Sequence, residues 1–514
     1  MKWLIALSAL IFAVNLTLSL QILAVLPLSM KSHLAIGNSI VNSLLEAGHN
    51  VTAISNLIPD KPSDNYRVVQ IPDVMKEFQD QEPNPFEYID FPIFFSVIMM
   101  PPFGADMVKL VMKSENLDAF LKTDEKFDVC IMELFGNEAL MGIPEKFNCA
   151  LIFYNTYDAL FWSDTISGNT SPASYVPNPF LWFTDNMSFK QRLVNTVVGL
   201  LETTVHYVLH LPWQRYLYNS YFPNAKRSFN DMYKNSSITF INNHVSSSFV
   251  RPHMPTQIEI GGIHVKPAKP LASDLQKYMD DATDGVILFS MGSYIDGTDW
   301  KEEHREMFIK VFGKLKQKII WRYSNETLPD NPGNIKIGHW FPQRDILAHP
   351  NLKVFITHGG LLGTTEAIVE GVPVLGIPVF GDQMMNLMKT VARGYGLQVL
   401  YPDLSEETFG NALKELLRNR VYKDKAKKIS KIFNDRPRTP QQEVVYWTEY
   451  VARHNGAAHL QAESVNFNYI QLFSFDVYII LAIISLIVLY IEFKILKIIL
   501  RKIFKKSSNK KKNQ

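Results

Sequence analysis

The tripeptide His358-Gly359-Gly360 has the residue types of an anion-binding turn. It follows the apolar run 354–357, which is typical of a buried strand, and it precedes a helical pattern. Glycines let backbone N–H groups approach a ligand closely, and a helix that begins there points the positive end of its dipole at the same place. His358 adds a side-chain donor. The pattern indicates a site for a diphosphate-like group, although a plain turn with a structural histidine is the default interpretation of the tripeptide alone.

Other polar side chains also lie just beyond apolar runs that are typical of buried strands. The set comprises Ser293, Arg322, Glu366, Asp382 and Gln383. Carboxylates that only solvated a surface would have no reason to follow buried strands so regularly. At the carboxyl ends of parallel strands they could instead bind the hydroxyl groups of a ligand.

His33 is the candidate for proton transfer in the N-terminal half. It lies after the apolar run 22–28, at the start of a helical pattern. An imidazole works best as a general base when a carboxylate holds its other ring nitrogen. Without further context, a histidine near a helix start is more often structural.

Two sets of alternating elements must position these residues. In the first, strands are expected at 22–28, 51–55, 127–133 and 150–155, with a helix over 34–47 that ends at Gly48. In the second, strands are expected at 286–290, 318–323, 354–357 and 372–377, with helices near 300–316, 364–370 and 383–392. Alternation of this kind predicts parallel sheets. The expected fold is α/β, with two doubly wound, Rossmann-like domains facing a cleft.

The composition suggests domain boundaries and further elements. Four prolines and the pair Gly261-Gly262 in 251–270 are typical of a linker. We therefore expect domains at 21–255 and 281–465, joined by a linker at 256–280. Segments 86–103 and 153–183 are dense in aromatic residues, proline and methionine, which is compatible with a pliable apolar pocket or with ordinary core packing. A helix over 440–453 either packs across the domains or lies on the surface.

Both ends of the chain carry targeting features. Residues 1–20 have the pattern of a secretory signal peptide, and residues 474–493 are long and apolar enough for a transmembrane helix. Nine lysines and arginines but no acid follow Glu492, which predicts a cytosolic tail, 494–514, and a lumenal body. Lys511 and Lys512 stand where a dilysine signal for the endoplasmic reticulum membrane would. This arrangement is single-pass type I.

Other features restrict the possible partners. The net charge is +2, and without the nine tail cations residues 1–493 carry −7, which argues against a nucleic-acid partner. Four sequons, at Asn169, Asn186, Asn235 and Asn325, are consistent with a lumenal glycoprotein. Cys130 and Cys149 lie in apolar runs, and both a pair of core thiols and a disulfide are compatible with the sequence.

The stretch GHWFPQRDILAHPNLKVFITHGGLLGTTEAIVEGVPVLGIPVFGDQMMN, which begins at Gly338, resembles the signature of the UDP-glycosyltransferases. The resemblance covers nearly the whole chain and includes the signal peptide, the sequence FSMGS at 289–293 and the anchor with its lysine-rich tail. In detail the chain is most similar to the insect branch. The resemblance implies a GT-B fold, in which an N-terminal domain binds the acceptor and a C-terminal domain binds the UDP-sugar.

The resemblance also implies roles for individual residues of the donor site. Uracil would stack on Trp340, Gln343 would bind the uridine end, and Glu366 would accept from the ribose hydroxyls. Asp382 and Gln383 would bind hydroxyls of the sugar. The remaining residues implied at the donor site are Ser293, Arg322, His358, Gly360 and Gly363.

For the chemistry, the resemblance implies His33 as the general base with a carboxylate partner. The family usually has an aspartate there, whereas the matching residue in this chain is Glu133, with Glu138 as the alternative if the loop is offset. The implied reaction is an inverting transfer of a hexose, glucose before glucuronate, to a hydroxyl of a small lipophilic acceptor, as in detoxification. No metal ion or other cofactor is expected.

A dinucleotide-dependent oxidoreductase would need a G-x-G-x-x-G turn, which neither half contains. A lumenal binder of hydrophobic molecules that retains a UDP-sugar site without catalysis remains the alternative, because Glu133 departs from the family pattern. A homo-oligomer is left open.

Overall fold

The computed structural model describes residues 19–57, 63–79, 85–90 and 93–511. Residues 1–18 of the predicted signal peptide and residues 512–514, with Lys512, lie outside the described residues. The described chain divides into two units, residues 1–461 and residues 462–514.

A seven-stranded parallel sheet forms the N-terminal domain. Its strands are β1 (Gln21–Val25), β2 (Asn50–Ser55), β3 (Tyr66–Gln70), β4 (Val129–Glu133), β5 (Ala150–Asn155), β6 (Ile238–Ile241) and β7 (Gln257–Glu259). The strand order is β3-β2-β1-β4-β5-β6-β7. Ala24 of β1 pairs with Ala53 on one side and with Ile131 on the other, so the strand that precedes His33 lies in the interior of the sheet.

Helices connect these strands. They are α1 (Lys31–Glu46), α2 (Val74–Gln79), α3 (Ile93–Met112), α4 (Glu115–Leu121), α5 (Gly142–Phe147), α6 (Phe161–Ser167), α7 (Phe189–Val205), α8 (Leu211–Tyr221) and α9 (Phe229–Lys234). A single π-helical turn, His206–His210, joins α7 to α8. Side chains alternate between the faces of a strand, so each strand contributes to the core on both sides of the sheet. Leu23 and Met132 pack on one side, and Ile22 and Ile131 pack on the other.

A six-stranded parallel sheet forms the C-terminal domain. Its strands are β8 (Val286–Phe289), β9 (Lys318–Arg322), β10 (Ile335–Gly338), β11 (Leu352–Thr357), β12 (Val374–Gly376) and β13 (Gly396–Gln398), in the order β10-β9-β8-β11-β12-β13. Its helices are α10 (Ser273–Asp280), α11 (Glu302–Gly313), α12 (Gln343–Leu347), α13 (Leu361–Glu370), α14 (Gln383–Ala392), α15 (Glu406–Arg418) and α16 (Arg420–Asn434). The architecture of two parallel-sheet domains predicted from the sequence is confirmed.

The helix α17 (Pro440–Arg453) returns from the C-terminal domain to the N-terminal sheet. Val444 and Val451 are fully buried there, in the same core as Ile36 and Ile40 of α1. Thr439 caps the helix by accepting from the N–H of Gln442, and Pro440 occupies its first turn. Of the two interpretations of residues 440–453, the structure therefore shows the helix that packs across the domains.

The segment expected to be a linker is more ordered than its composition suggested. Strand β7 begins at Gln257 and pairs with β6, so the N-terminal sheet extends into residues 256–280. At the other end of this segment, Leu275 and Met279 of α10 are buried in the C-terminal core. The density of proline and glycine located the connection between the two domains. It gave no sign of the short strand before this connection or of the helix after it.

Residues 462–514 form their own unit. It contains the short helix α18 (Tyr469–Leu472) and the long helix α19 (Phe475–Lys511). Residues 475–504 of α19 are apolar enough, and the helix is long enough, to cross a membrane. The predicted span 474–493 lies within this helix apart from its first residue.

Two local features settle questions that the sequence left open. Of the two interpretations of Cys130 and Cys149, the structure shows the disulfide, and both residues lie in the core. The Asn169 side chain is buried and its Nδ2 donates to Asp164, Pro252 and Gln257. This amide nitrogen is therefore not free to carry a glycan, whereas Asn186, Asn235 and Asn325 are exposed.

Candidate active site

The glycine turn stands where the sequence placed it, between the end of β11 and the first turn of α13. Gly359 has φ of +87°, and a Cβ there would lie 2.5 Å from Cγ of Leu387. Only glycine fits both the backbone conformation and the space. Gly360 is the N-cap of α13, so the unpaired N–H groups of that helix begin at the turn.

His358 is held as a neutral hydrogen-bond donor beside this turn. Burial, together with the charge of Arg322, lowers its pKa to about 4. Its Nδ1 lies 3.2 Å from the hydroxyl of Thr357, which can donate to it. When the hydroxyl donates, the ring proton is on Nε2. A Cβ at Gly292 or Gly360 would come within 2.5 Å of the ring, so two glycines make room for the imidazole.

Arg322 supports the neighbouring loop. Its guanidinium donates to the carbonyl oxygens of Gly292, Ile295 and His339, and it lies 3.7 Å from Oδ2 of Asp296. These contacts hold the turn that contains Ser293 against the end of β9. The structure thus shows that Arg322 supports this loop. Cζ of its guanidinium also lies 5.7 Å from the centre of the Trp340 ring.

Trp340, Gln343 and Glu366 form a patch beyond the turn. The Trp340 side chain is 62% exposed, and Nζ of Lys31 lies 5.3 Å from the centre of its ring. Nε2 of Gln343 donates to Oε2 of Glu366 at 2.6 Å, and a Cβ at Gly363 would stand 3.4 Å from that nitrogen. Burial raises the pKa of Glu366, an effect that the hydrogen bond from Gln343 partly offsets.

Asp382 and Gln383 differ in what they present. Gln383 Oε1 accepts from the N–H groups of Val379 at 2.8 Å and Phe380 at 3.1 Å, so its carbonyl is committed to its own loop. Asp382 accepts from Asn386 at 2.8 Å, and burial raises its pKa while the nearby His33 lowers it to a smaller extent. Asp382 therefore lies close to the N-terminal domain.

His33 and Glu133 form a buried pair on the N-terminal side. His33 lies in the first turn of α1 and Glu133 is the last residue of β4, which is the neighbour of β1 in the sheet. The two atoms Nδ1 and Oε1 are 2.5 Å apart, and both side chains are 1% exposed. A carboxylate on Nδ1 leaves Nε2 as the proton acceptor. The hydroxyl of Tyr157 lies 3.5 Å from Nε2.

Glu138, the alternative partner for His33, pairs with another histidine. Its Oε2 accepts from Nε2 of His210 at 2.7 Å, and both side chains are buried. The short helix that begins at Glu138 is held by Gln214, which accepts from the N–H of Ala139 and donates to the carbonyl of Gly136. Glu133 is therefore the carboxylate that contacts His33 in this structure.

The sequence did not identify several residues around this pair. Thr156 Oγ1 lies 3.2 Å from Nδ1 of His33, and Tyr154 is close enough to Glu133 for its charge to add to the effect of burial and raise the pKa of the phenol. A Cβ at Gly37 would stand 2.8 Å from the Tyr154 hydroxyl, so that glycine leaves room for it. The polar run that follows β5, the neighbour of β4, was the signal that could have located Thr156 and Tyr157.

A cavity of about 240 Å³ opens next to Tyr157 and Asp382. Most of its wall is apolar, and the two aromatic, proline-rich segments of the sequence contribute Val97, Met100, Phe161, Trp162 and Phe180. Gly381 and Asp382 come from the C-terminal domain, so the cavity lies where the two domains face each other. Its other polar residues are Glu138, Glu202, His206 and His210.

A comparison with known families decides the identity. A family model described as "UDP-glucoronosyl and UDP-glucosyl transferase" matches residues 22–511. The chain belongs to the UDP-glycosyltransferase family. Members transfer a sugar from a UDP-sugar, and this chain is accordingly a glycosyltransferase with a UDP-sugar donor.

Two relatives illustrate the range of this family. The chain is 34% identical over 500 residues to UDP-glycosyltransferase UGT5 of Dactylopius coccus, covering 95% of this chain and 94% of the relative. It is 30% identical over 514 residues to the rat 2-hydroxyacylsphingosine 1-beta-galactosyltransferase, covering 96% and 91%. The similarity to insect members agrees with the expectation from the sequence.

Solved structures confirm the fold class. A UDP-glucosyltransferase from Polygonum tinctorium, solved with 3,4-dichloroaniline, aligns with a TM-score of 0.56 at 14% identity, covering 85% of this chain and 98% of that one. The glycosyltransferase VinC, solved with dTDP, aligns with a TM-score of 0.56 at 16% identity, covering 84% and 100%. The two parallel-sheet domains of this UDP-glycosyltransferase are therefore of the GT-B type. The roles of individual site residues and the absence of a metal requirement stay predictions.

Proposed function

We propose that this chain transfers a hexose, with glucose as the first candidate, from its UDP-sugar to a hydroxyl of a small lipophilic acceptor, with inversion at the anomeric carbon. The observation that carries the proposal is the buried His33–Glu133 pair beside an apolar cavity that Asp382 of the donor-binding domain also lines. A non-catalytic binder of hydrophobic molecules would have no need for a carboxylate on the imidazole.

The proposed reaction begins with the acceptor hydroxyl at Nε2 of His33. As the acceptor oxygen attacks the anomeric carbon, its proton moves to Nε2 and the bond to the UDP oxygen breaks. Glu133 accepts from Nδ1 and stabilises the imidazolium that forms. A single displacement on an α-linked donor gives a β-glycoside.

UDP would leave toward the glycine turn. The Nε2–H of His358 and the first N–H groups of α13 are donors for the negative charge that develops on the diphosphate. Since these groups can supply the stabilisation, we expect transfer to proceed without a metal ion. Trp340, Gln343 and Glu366 would hold the uridine, and Asp382 and the Gln383 amide would hold the sugar.

The location that we propose is the endoplasmic reticulum membrane, with α19 as the single span, residues 1–20 as a cleaved signal and the body in the lumen. The exposed sequons test this orientation. Substituting Asn186, Asn235 and Asn325 by Gln should remove an endoglycosidase-sensitive shift in mass, while Asn169→Gln should leave the shift unchanged because that amide is buried. A chain without any glycan would contradict the lumenal orientation.

The function is tested by UDP release from microsomes that contain the full chain. UDP-glucose, UDP-galactose and UDP-glucuronate are offered in turn with a panel of phenols and aliphatic alcohols, with and without EDTA. We expect fastest release with UDP-glucose, no effect of EDTA and a β-glycoside by NMR. Retained UDP-glucose binding with no turnover on any acceptor would favour the non-catalytic binder.

A further inference from the structure

The polar residues that line the cavity fall into two sets by their hydrogen bonds. The first, Tyr157 and Asp382, lies next to His33 and belongs to the proposed reaction. The second consists of Glu138, Glu202, His206 and His210, which the reaction does not use. Apolar side chains such as Phe135, Trp162 and Val205 form the rest of the wall. We call the second set the distal cluster.

The distal cluster is held in place by its own hydrogen bonds. His210 Nε2 donates to Glu138 at 2.7 Å, His206 Nε2 lies 3.1 Å from the Tyr233 hydroxyl, and Asn178 donates to Glu202 at 2.5 Å. The π-helical turn between α7 and α8 brings the two imidazoles together, with ring centroids 5.3 Å apart and planes inclined by 22°. Such turns are frequent at functional sites.

The cluster also has unused hydrogen-bonding capacity. Within the described chain, only one oxygen of each carboxylate accepts a hydrogen bond from another residue. His210 Nδ1 is buried and has no hydrogen-bond partner among the described residues. Burying polar groups without partners is costly, so an unsatisfied group in a cavity calls for a ligand or a water molecule. A purely apolar acceptor would leave this cluster unsatisfied.

We propose that the distal cluster is a second polar subsite, which binds a hydrogen-bond donor at the end of the acceptor remote from the hydroxyl that receives the sugar. This inference rests on the proposed function, because it takes the cavity as the acceptor site. The preferred acceptors are then apolar molecules with two polar ends, such as diols and amino alcohols with an aromatic body.

The charge of the distal cluster determines which groups at the end of an acceptor it favours. The Glu138 carboxylate, whose pKa His210 holds below the usual value despite burial, is negative at neutral pH. A hydroxyl or ammonium group can donate to it, whereas the carboxylate of an acceptor would face a like charge. Acceptors with a distal acid are therefore rejected.

The experiment compares three acceptors of one shape on the full-length protein. They are a naphthalenediol with hydroxyls at opposite ends, its monomethyl ether and the corresponding hydroxynaphthoic acid. Both kcat/KM and equilibrium affinity are measured, so that binding reports on the subsite even if no transfer occurs. We expect the diol to exceed the ether by about tenfold or more, the gain typical of a hydrogen bond to a charged group, and the acid to fall below the ether.

The variant Glu138→Leu/His210→Phe tests the assignment, because replacing a buried pair by apolar residues is often tolerated. It should reduce the preference for the diol to less than about threefold. The matched control Glu145→Gln alters a buried glutamate of the same domain that binds the N–H groups of Lys226 and Arg227, and it should keep the preference.

Equal values for diol and ether in the wild type, or a preference that persists in the double variant, would overturn the subsite. If the affinity difference is present but no acceptor is glycosylated, the subsite stands and the proposed transfer fails. A double variant that does not fold is replaced by Glu138→Gln, which keeps the shape of the side chain and removes its charge. This variant should abolish the discrimination against the acid.

Discussion

Among the described residues of the N-terminal domain, two histidine–glutamate pairs have both side chains buried, and they differ in which ring nitrogen the carboxylate holds. Glu133 contacts Nδ1 of His33, so Nε2 is left free of the carboxylate, with the hydroxyl of Tyr157 at 3.5 Å. Glu138 contacts Nε2 of His210, so Nδ1 is left buried within the domain. The first geometry suits a proton acceptor for a substrate hydroxyl, and the second suits a fixed binding group.

The difference arises from the elements that carry the two glutamates. Glu133 ends a strand in the middle of the sheet, where ligands of parallel α/β domains bind. Glu138 begins a short helix, Glu138–Met141, that packs against α8 and α9. Five residues of separation in the sequence thus place two identical side chains in different chemical settings.

The variant His33→Ala tests the role of the first pair and should have the largest effect. Loss of the general base should lower kcat by about a thousandfold, in the range of general-base contributions, while the affinity for UDP stays within twofold of the wild type. Turnover is measured by UDP release and affinity by calorimetry. Preserved turnover would show that His33 is not the general base. The two pairs would then have no functional difference.

The next test exchanges the two carboxylates for amides. Glu133→Gln should lower kcat by about a hundredfold, because the amide cannot stabilise the imidazolium on Nδ1. With a simple phenol as acceptor, kcat of Glu138→Gln should stay at least tenfold higher than kcat of Glu133→Gln. Equal losses in the two variants would show that the pairs act as one unit, and the thermal midpoint of each variant checks that both are folded.

The sequence predicted the first of these pairs and gave Glu138 only as the alternative partner of His33. The family resemblance matched Glu133 to the carboxylate position, and Glu133 ends β4 while His33 follows β1, its neighbour in the sheet. Parallel strands bring their carboxyl ends to one edge, which explains why the two side chains meet. The short helix that carries Glu138 away from His33 had no sequence signal. His206 and His210 were not found, since the π-helical turn that aligns them follows from packing between α7 and α8.

The fold also contains elements that the sequence predicted and elements that it missed. Continuous apolar runs identified most of the central strands, whereas β3, β6, β7, β10 and β13 were missed. These strands are short or lie at the sheet edges, where fewer positions need to be apolar, as in Tyr66–Gln70. The predicted donor site could be described in greater detail because most of its residues lie close together in the chain, from Trp340 to Gln383, and their roles stay predictions.

A variant of the predicted donor site tests whether UDP binding and acceptor binding can be separated. Trp340→Ala should weaken UDP binding by about tenfold, within the 1–3 kcal/mol that aromatic stacking on a base contributes. The affinity for the acceptor should change less. Trp182, with a similar exposed fraction of 58%, is a matched control whose substitution by Ala should leave UDP binding unchanged. Equal effects of the two substitutions would place uridine elsewhere.

The smallest expected effect concerns Glu202 of the distal cluster. Burial, partly offset by the hydrogen bond from Asn178, raises its pKa to about 7 from the ordinary value of 4.5. The folded protein therefore holds this proton more tightly than the unfolded chain, and stability falls as pH rises from about 4.5 through 7. Glu202→Gln does not ionise, so relative to the wild type it should raise the free energy of unfolding by about 1–2 kcal/mol near pH 8, and by less near pH 5.

The comparison is made by denaturant unfolding of the detergent-solubilised chain at both pH values. Glu407→Gln, on an exposed helix face, serves as the control and should show no pH-dependent difference. A pH-independent effect of Glu202→Gln would mean that this carboxyl titrates normally in the folded state.

The return of α17 to the N-terminal sheet has a consequence for the order of synthesis. Val444, Val451 and Ala457 complete a core that begins with Ile22, so this core contains residues made at the two ends of the body of the protein. Domains commonly fold as they emerge from the ribosome, the N-terminal one first. Here the first domain reaches the ribosomal exit without one helix of this core, and the core is complete only after the second domain has been translated. Nascent chains that stall between the two domains should therefore expose the part of the first sheet that α17 covers, and they should be held by chaperones until translation resumes.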